Sequence, residues 1–129
     1  MGSCGSGNDL RMLAGSCHCG AVKVTLARKP RRLTSCNCSI CHRYGTLWAY
    51  YDRGQVTITP RRGATSSYTW GGKRLRFVRC ATCGCIINWE AVDRSRRRMG
   101  VNLRNFEHKV VASIRVRRLD GAKTWKFLD

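Results

Sequence analysis

A chain of 129 residues with 43% hydrophobic residues is enough for one domain with a modest core. Its 25 Lys and Arg against 7 Asp and Glu give a formal charge of +18, a field that draws acidic small molecules, nucleic acid or acidic surfaces without choosing among them. No stretch approaches the roughly 18 apolar residues of a membrane span, so no membrane partner is expected.

Residues 1–14 read as a flexible leader and residues 15–129 as a single domain. The leader is Gly- and Ser-rich and has no apolar segment of the secretory kind, so a cytoplasmic chain with reduced thiols is expected. Met1-Gly2-Ser3-Cys4-Gly5-Ser6 formally fits an N-myristoylation pattern, one that short Gly/Ser leaders also meet by chance, and Cys4 is read as a spectator. The knot Cys17-His18-Cys19 then leads into an alternating strand over 21–26. A second knot, Cys36-Asn37-Cys38-Ser39-Ile40-Cys41, runs into a single helical turn over 39–44. Strands follow over 47–51 and 55–59, on either side of the turn Asp52-Arg53-Gly54. Strands over 65–70 and 75–80 flank Gly71-Gly72 and suggest a hairpin. The third knot, Cys80-Ala81-Thr82-Cys83-Gly84-Cys85, comes next, with strands over 85–89, 99–103 and 110–117 and another helical turn near 105–108. The domain is mainly β, with short strands and no internal repeat.

Three knots of thiols in a reduced chain point to metal rather than disulfides. Residues i and i+2 of a strand face one side, so Cys17/Cys19 and Cys36/Cys38 can each act as pincers. C-x-x-C needs a tight turn, for which Gly84 is suited. Cys17, Cys19, Cys80 and Cys83 can make a closed site of four thiolates, leaving Cys36, Cys38 and Cys41 as an open site of three, the catalytic type. Spacing leaves another partition open, in which Cys85 completes the central site.

The ordered segments Gly15-Ser16-Cys17-His18-Cys19-Gly20-Ala21-Val22, Cys36–Cys41 and Cys80–Gly84, with Val101-Asn102-Leu103-Arg104, resemble the glutathione-dependent formaldehyde-activating enzyme family, which also includes centromere protein V. The resemblance implies a β-tent, a zinc-binding fold of coiled short antiparallel sheets. It implies two Zn²⁺ per chain: a structural ion on Cys17, Cys19, Cys80 and Cys83, and a labile, catalytic-type ion on Cys36, Cys38 and Cys41. The implied activity is that of a carbon–sulfur lyase, an S-(hydroxymethyl)glutathione synthase joining glutathione or a similar thiol to formaldehyde or another small aldehyde. Two features depart from the pattern. The formaldehyde-activating enzyme proper is longer, and Cys85 stands where a small hydroxyl residue is usual.

Arg43, two residues past Cys41, is the expected clamp for the thiol's carboxylates. His42 is placed for proton transfer beside the central knot, while the side chain of His18 should point away from its own. Glu90 is expected to pair with an arginine. Trp48, Tyr50, Tyr51 and Trp70 are read as core before pocket. Of the 25 cations 19 are arginine, and alternation in Ile114-Arg115-Val116-Arg117 fits the solvated face of a strand. The rival reading is a non-catalytic zinc module that binds nucleic acid or protein through that arginine surface, with affinity falling steeply in salt.

Overall fold

The computed structural model describes residues 12–60 and 63–129; the myristoylation pattern and Cys4 lie outside them. Ten strands form two open sheets. The smaller has the order β1-β2-β5, from β1 (Leu13–Ser16), β2 (Val22–Leu26) and β5 (Val56–Pro60), all antiparallel. β1 thus takes in Leu13 and Ala14, just ahead of the expected domain start.

The larger sheet contains β3 (Arg32–Cys36), β4 (Trp48–Asp52), β6 (Thr65–Tyr68), β7 (Leu75–Cys80), β8 (Ile86–Ala91), β9 (Arg98–Asn102) and β10 (Arg115–Leu119). Its order is β10-β3-β4-β9-β8-β7-β6. All pairings in it are antiparallel except β10 with β3, which runs parallel in register from Arg115↔Arg32 to Leu119↔Cys36. The mainly β, single-domain reading holds.

The large sheet is covered on both faces. On one, Val22, Val24 and Leu26 of the small sheet meet Leu33, Ala49, Ile87 and Val101, all at most 1% exposed. On the other, Cys41, Trp48, Phe77 and Ile86 make a second cluster, with Tyr44, Tyr50 and Trp89 against it. Helix α1 (Ser39–Tyr44) reaches this face through Cys41, its buried residue, and ends on Gly45 at φ 65°, a left-handed cap that favours glycine. A glycine is also required at Gly100, where the Trp89 indole occupies the space a β-carbon would take.

Two strands were not legible. β1 has only one strongly apolar residue, and β3 starts inside a cationic run that reads as surface. The strand expected over 110–117 is divided: helix α2 (His108–Ala112) precedes β10. Val110 and Val111 are adjacent and both pack on the core. A strand would send such neighbours to opposite faces, whereas a helical turn keeps both within reach of one side.

A four-thiol group, a three-thiol group and a cationic cleft

The first group is built from two turns. Cys17–Gly20 is a turn rather than a strand pincer: the Gly20 N–H donates to the Cys17 carbonyl at 3.1 Å and Gly20 takes φ 82°. The Val22 N–H donates to Cys17 Sγ at 3.3 Å. In the second turn the Gly84 N–H donates to the Cys80 carbonyl at 3.0 Å with Gly84 at φ 80°, as the spacing required. The Cys83 N–H donates to Cys80 Sγ at 3.5 Å.

Together the turns bring the sulfurs of Cys17, Cys19, Cys80 and Cys83 within 4.8 Å of one another. Cys17 and Cys19 sulfurs are 3.8 Å apart, and Cys19 and Cys80 sulfurs 3.6 Å. A tetrahedron with metal–sulfur distances of about 2.3 Å has edges of about 3.8 Å. These edges match it, while a disulfide needs about 2.05 Å; the cysteines of the described residues are free thiols. N–H groups of Cys85 and Cys19 pull the Cys83 thiol down to about 5, while Cys19, although it accepts from the Ala21 N–H, is pushed up to about 11 by the neighbouring Cys80 sulfur.

The second group, Cys36, Cys38 and Cys41, likewise has its sulfurs within 4.8 Å. Cys36 ends β3, Cys38 caps α1 and Cys41 lies in its first turn. Trp48 donates its indole N–H to Cys41 Sγ at 3.3 Å, and the Cys38 N–H faces Cys36 Sγ at 3.5 Å. Hydrogen bonding from the Cys41 thiol, with help from the N–H groups of Cys38 and Gly121, draws Cys36 down to about 6. The same bond, and then burial, push Cys41 up.

Gly121 belongs to a turn past β10 that no sequence pattern places beside the central knot. Asn37, inside the knot, donates to Asp120 Oδ1 at 3.0 Å and accepts from the Ala122 N–H at 2.9 Å. Asp120 in turn holds Thr124, whose hydroxyl donates to Asp120 Oδ2 at 3.0 Å. The turn closes with Trp125 at φ 60°, an uncommon conformation for a bulky residue.

A sequence profile described as glutathione-dependent formaldehyde-activating enzyme matches residues 12–117. The chain belongs to that family. A crystal structure of a Rhodobacter sphaeroides protein, a structural-genomics target, is similar over 81% of this chain and 99% of that one, with a TM-score of 0.65 and 24% identity. That likeness is one of fold. No curated protein matches the chain in sequence. The turn carrying Gly121 and Trp125 lies past the part of the chain that matches the formaldehyde-activating enzyme family.

Other residues singled out in this family member fall on either side of the two groups. Cys85 is not part of the central group: its carbonyl accepts from the Cys80 N–H at 2.9 Å and it packs on the core beside the four-thiol turns. His18 and His42 are exposed. Arg43 is also exposed, and its guanidinium donates to the Ser39 carbonyl of its own helix at 3.0 Å. Glu90 pairs with Arg76 at 2.9 Å, as expected. His108 opens α2. Trp48 and Tyr51 are core and Tyr50 packs against the second cluster, as expected, while Trp70 is 43% exposed; the two tyrosines also border a cleft. No helix among the described residues is long and apolar enough to cross a membrane.

Two contributors were missed. Asn102 is buried, accepts from the Leu47 N–H at 3.2 Å and donates to the Ile86 carbonyl at 2.9 Å. It thereby ties the chain just after α1 to the chain just after the third knot. The other is the cleft itself, about 1160 Å³, lined by Arg28, Lys29, Arg31, Arg32, Arg98 and Arg117 with Thr34 and Tyr50 among its walls. It opens where β3 and β4 part after their one register pair, Thr34↔Trp48. Two of its cations came from separate arginine runs that no periodicity connects.

Proposed function

We propose that this chain is a zinc-dependent carbon–sulfur lyase of the S-(hydroxymethyl)glutathione synthase kind, joining a low-molecular-weight thiol such as glutathione to formaldehyde or another small aldehyde. The observation that carries the reading is the coexistence of a four-thiol and a three-thiol group in one small domain. Four protein ligands close a zinc site and three leave a position open. Cys17, Cys19, Cys80 and Cys83 would hold an ion that braces the fold; Cys36, Cys38 and Cys41 would hold a second. When bound there, zinc offers a fourth position to an incoming thiol and favours its thiolate form.

The reaction needs no oxidant or reductant. The thiol S–H adds across the carbonyl: a carbon–sulfur bond forms, the carbonyl π bond breaks, and the proton ends on oxygen. The chain's own residues position the partners. N–H groups of Trp48 and Gly121 direct Cys41 and Cys36. Tyr50, in the cleft wall, is a phenol at neutral pH and can donate to the aldehyde oxygen. Cleft cations orient the anionic groups of the thiol. Arg43 would have to release the Ser39 carbonyl to join them, so its contribution should be smaller than that of Arg98.

The test is native mass spectrometry with and without glutathione, followed by exchange NMR on ¹³C-formaldehyde and glutathione. Two zinc ions, one bound thiol and accelerated hemithioacetal exchange are expected, with Cys38→Ser losing thiol binding and one ion. A single ion with no adduct and no acceleration defeats the lyase reading.

A further inference from the structure

The cleft says more about the thiol than the thiolate group does. We infer that it binds a phosphorylated tail, so that a thiol carrying two or more phosphate groups is preferred over glutathione; this rests on the reading of Cys36, Cys38 and Cys41 as the thiol's site.

Six cations line the cleft and no carboxylate does. Among the described residues, the acids' ion pairs go to Arg76, Arg94, Arg97 and Arg118, none of them in the lining. Of the six, Arg117 alone has a partner of this kind, donating through Nη2 to the Asp129 carbonyl at 3.0 Å. The other five have no acid partner among the described residues, and Arg98 and Arg117 are pre-set by ring faces. The Arg98 guanidinium lies 4.5 Å over the Tyr50 ring and that of Arg117 lies 3.9 Å over Phe127. Arg117 Nε is buried without a hydrogen-bond partner. A donor left in that state costs free energy unless a ligand accepts from it.

Position links the cleft to the thiolates. Thr34 and Cys36 share a face of β3, and Tyr50 and Trp48 share a face of β4, since both pairs are two residues apart. A ligand seated on Thr34 and Tyr50 is thus one strand step from Cys36 and from the Cys41 that Trp48 touches. Glutathione suits this lining poorly. Its two carboxylates come with an ammonium, which finds no acid in the cleft and meets six cations instead. Phosphates carry only negative charge and take arginine forks in pairs. A cleft of about 1160 Å³ also exceeds what a tripeptide needs; pockets for drug-sized ligands run to roughly 300–1,000 Å³.

The experiment is calorimetric titration of the zinc-loaded chain with adenosine 3′,5′-bisphosphate, which has the phosphates and no thiol, and separately with glutathione and a single-stranded oligonucleotide. The bisphosphate should bind at least tenfold tighter than glutathione. Arg32→Ala and, separately, Arg98→Ala should each weaken it at least tenfold, whereas Arg96→Ala, at an exposed position off the cleft, should leave it unchanged. Both cleft arginines are exposed, and Arg31→Glu is a further surface variant that should repel the bisphosphate. Equal binding by glutathione, no effect of the cleft variants, or binding of the oligonucleotide alone overturns the inference. Because the bisphosphate lacks sulfur, its binding is read independently of any adduct. A nucleotide-bearing thiol, coenzyme A as probe, then reports on the thiolate group: bisphosphate binding without adduct would count against the lyase reading and not against the cleft.

Discussion

Gly121 is seated against Cys36 so closely that a β-carbon on it would lie 2.5 Å from the Cys36 sulfur. The same residue's N–H helps to draw the Cys36 thiol down. Gly121 is buried and its φ is not in the left-handed region, so what it needs is space rather than conformational freedom. Gly121→Ala should displace Cys36 and remove the central ion while leaving the other in place. Native mass spectrometry would then count one zinc instead of two; two zincs at unchanged affinity would refute the coupling.

The two thiol groups should respond differently to ligand loss. Cys17 and Cys80 are at most 2% exposed and are tied to opposite halves of the fold, so Cys80→Ser should lower stability by about 3 kcal/mol or more, as loss of a structural metal does. Cys38→Ser should cost far less stability but eliminate thiol binding. Thermal melts of the two variants, each with zinc quantified, separate the cases.

At the Trp89–Gly100 contact a single methyl should be enough to disrupt the sheet. Trp89 is rigid and is held by Tyr50, with ring centroids 6.1 Å apart. Gly100→Ala should therefore destabilise the chain by about 2–4 kcal/mol through overpacking. Urea midpoints check it, and a companion Trp89→Ala should restore part of the loss caused by Gly100→Ala.

Legibility followed the scale on which each feature is written. The three knots and α1 are local in sequence and could be placed from spacing; the pairing of the first knot with the third, 61 residues apart from Cys19 to Cys80, came from the family resemblance. The hairpin across Gly71-Gly72 was equally plain, since Tyr68 pairs with Phe77 across it. The parallel seam of β10 on β3 could not be read. It joins Arg115 to Arg32, and alternation says which face a residue takes but not which strand lies beside it. The Asn37–Asp120 bond and the six-cation cleft depend on that seam. The thiol knots were therefore legible and their surroundings were not.

Asp52 gives a pH signature on a different part of the sheet. Arg97 forks onto it at 3.1 Å from both nitrogens and the Gly54 N–H adds a third bond, holding its carboxyl below the usual range. A carboxyl depressed in the folded state adds stability above its unfolded value, about 3.9, and loses it as pH falls through the folded one. Asp52→Asn should therefore lower the melting temperature at pH 6, with the gap to the parent closing as pH falls below the unfolded value of about 3.9 and through the folded one. A gap that persists in acid would mean the residue acts through its turn rather than its charge.

The seam between β3 and β10 also sets an order of events. A chain emerging from its N-terminus has Cys17, Cys19, Cys80 and Cys83 available well before Arg115–Leu119 and Gly121 exist. The four-thiol group can therefore come together on an unfinished chain, since folding proceeds as segments emerge. Cys36, Cys38 and Cys41 lack both their strand neighbour and their cover until Arg115–Leu119 and Gly121 arrive. The three-thiol group is thus assembled last, and a truncated product of interrupted synthesis would carry the four-thiol turns without a complete second group.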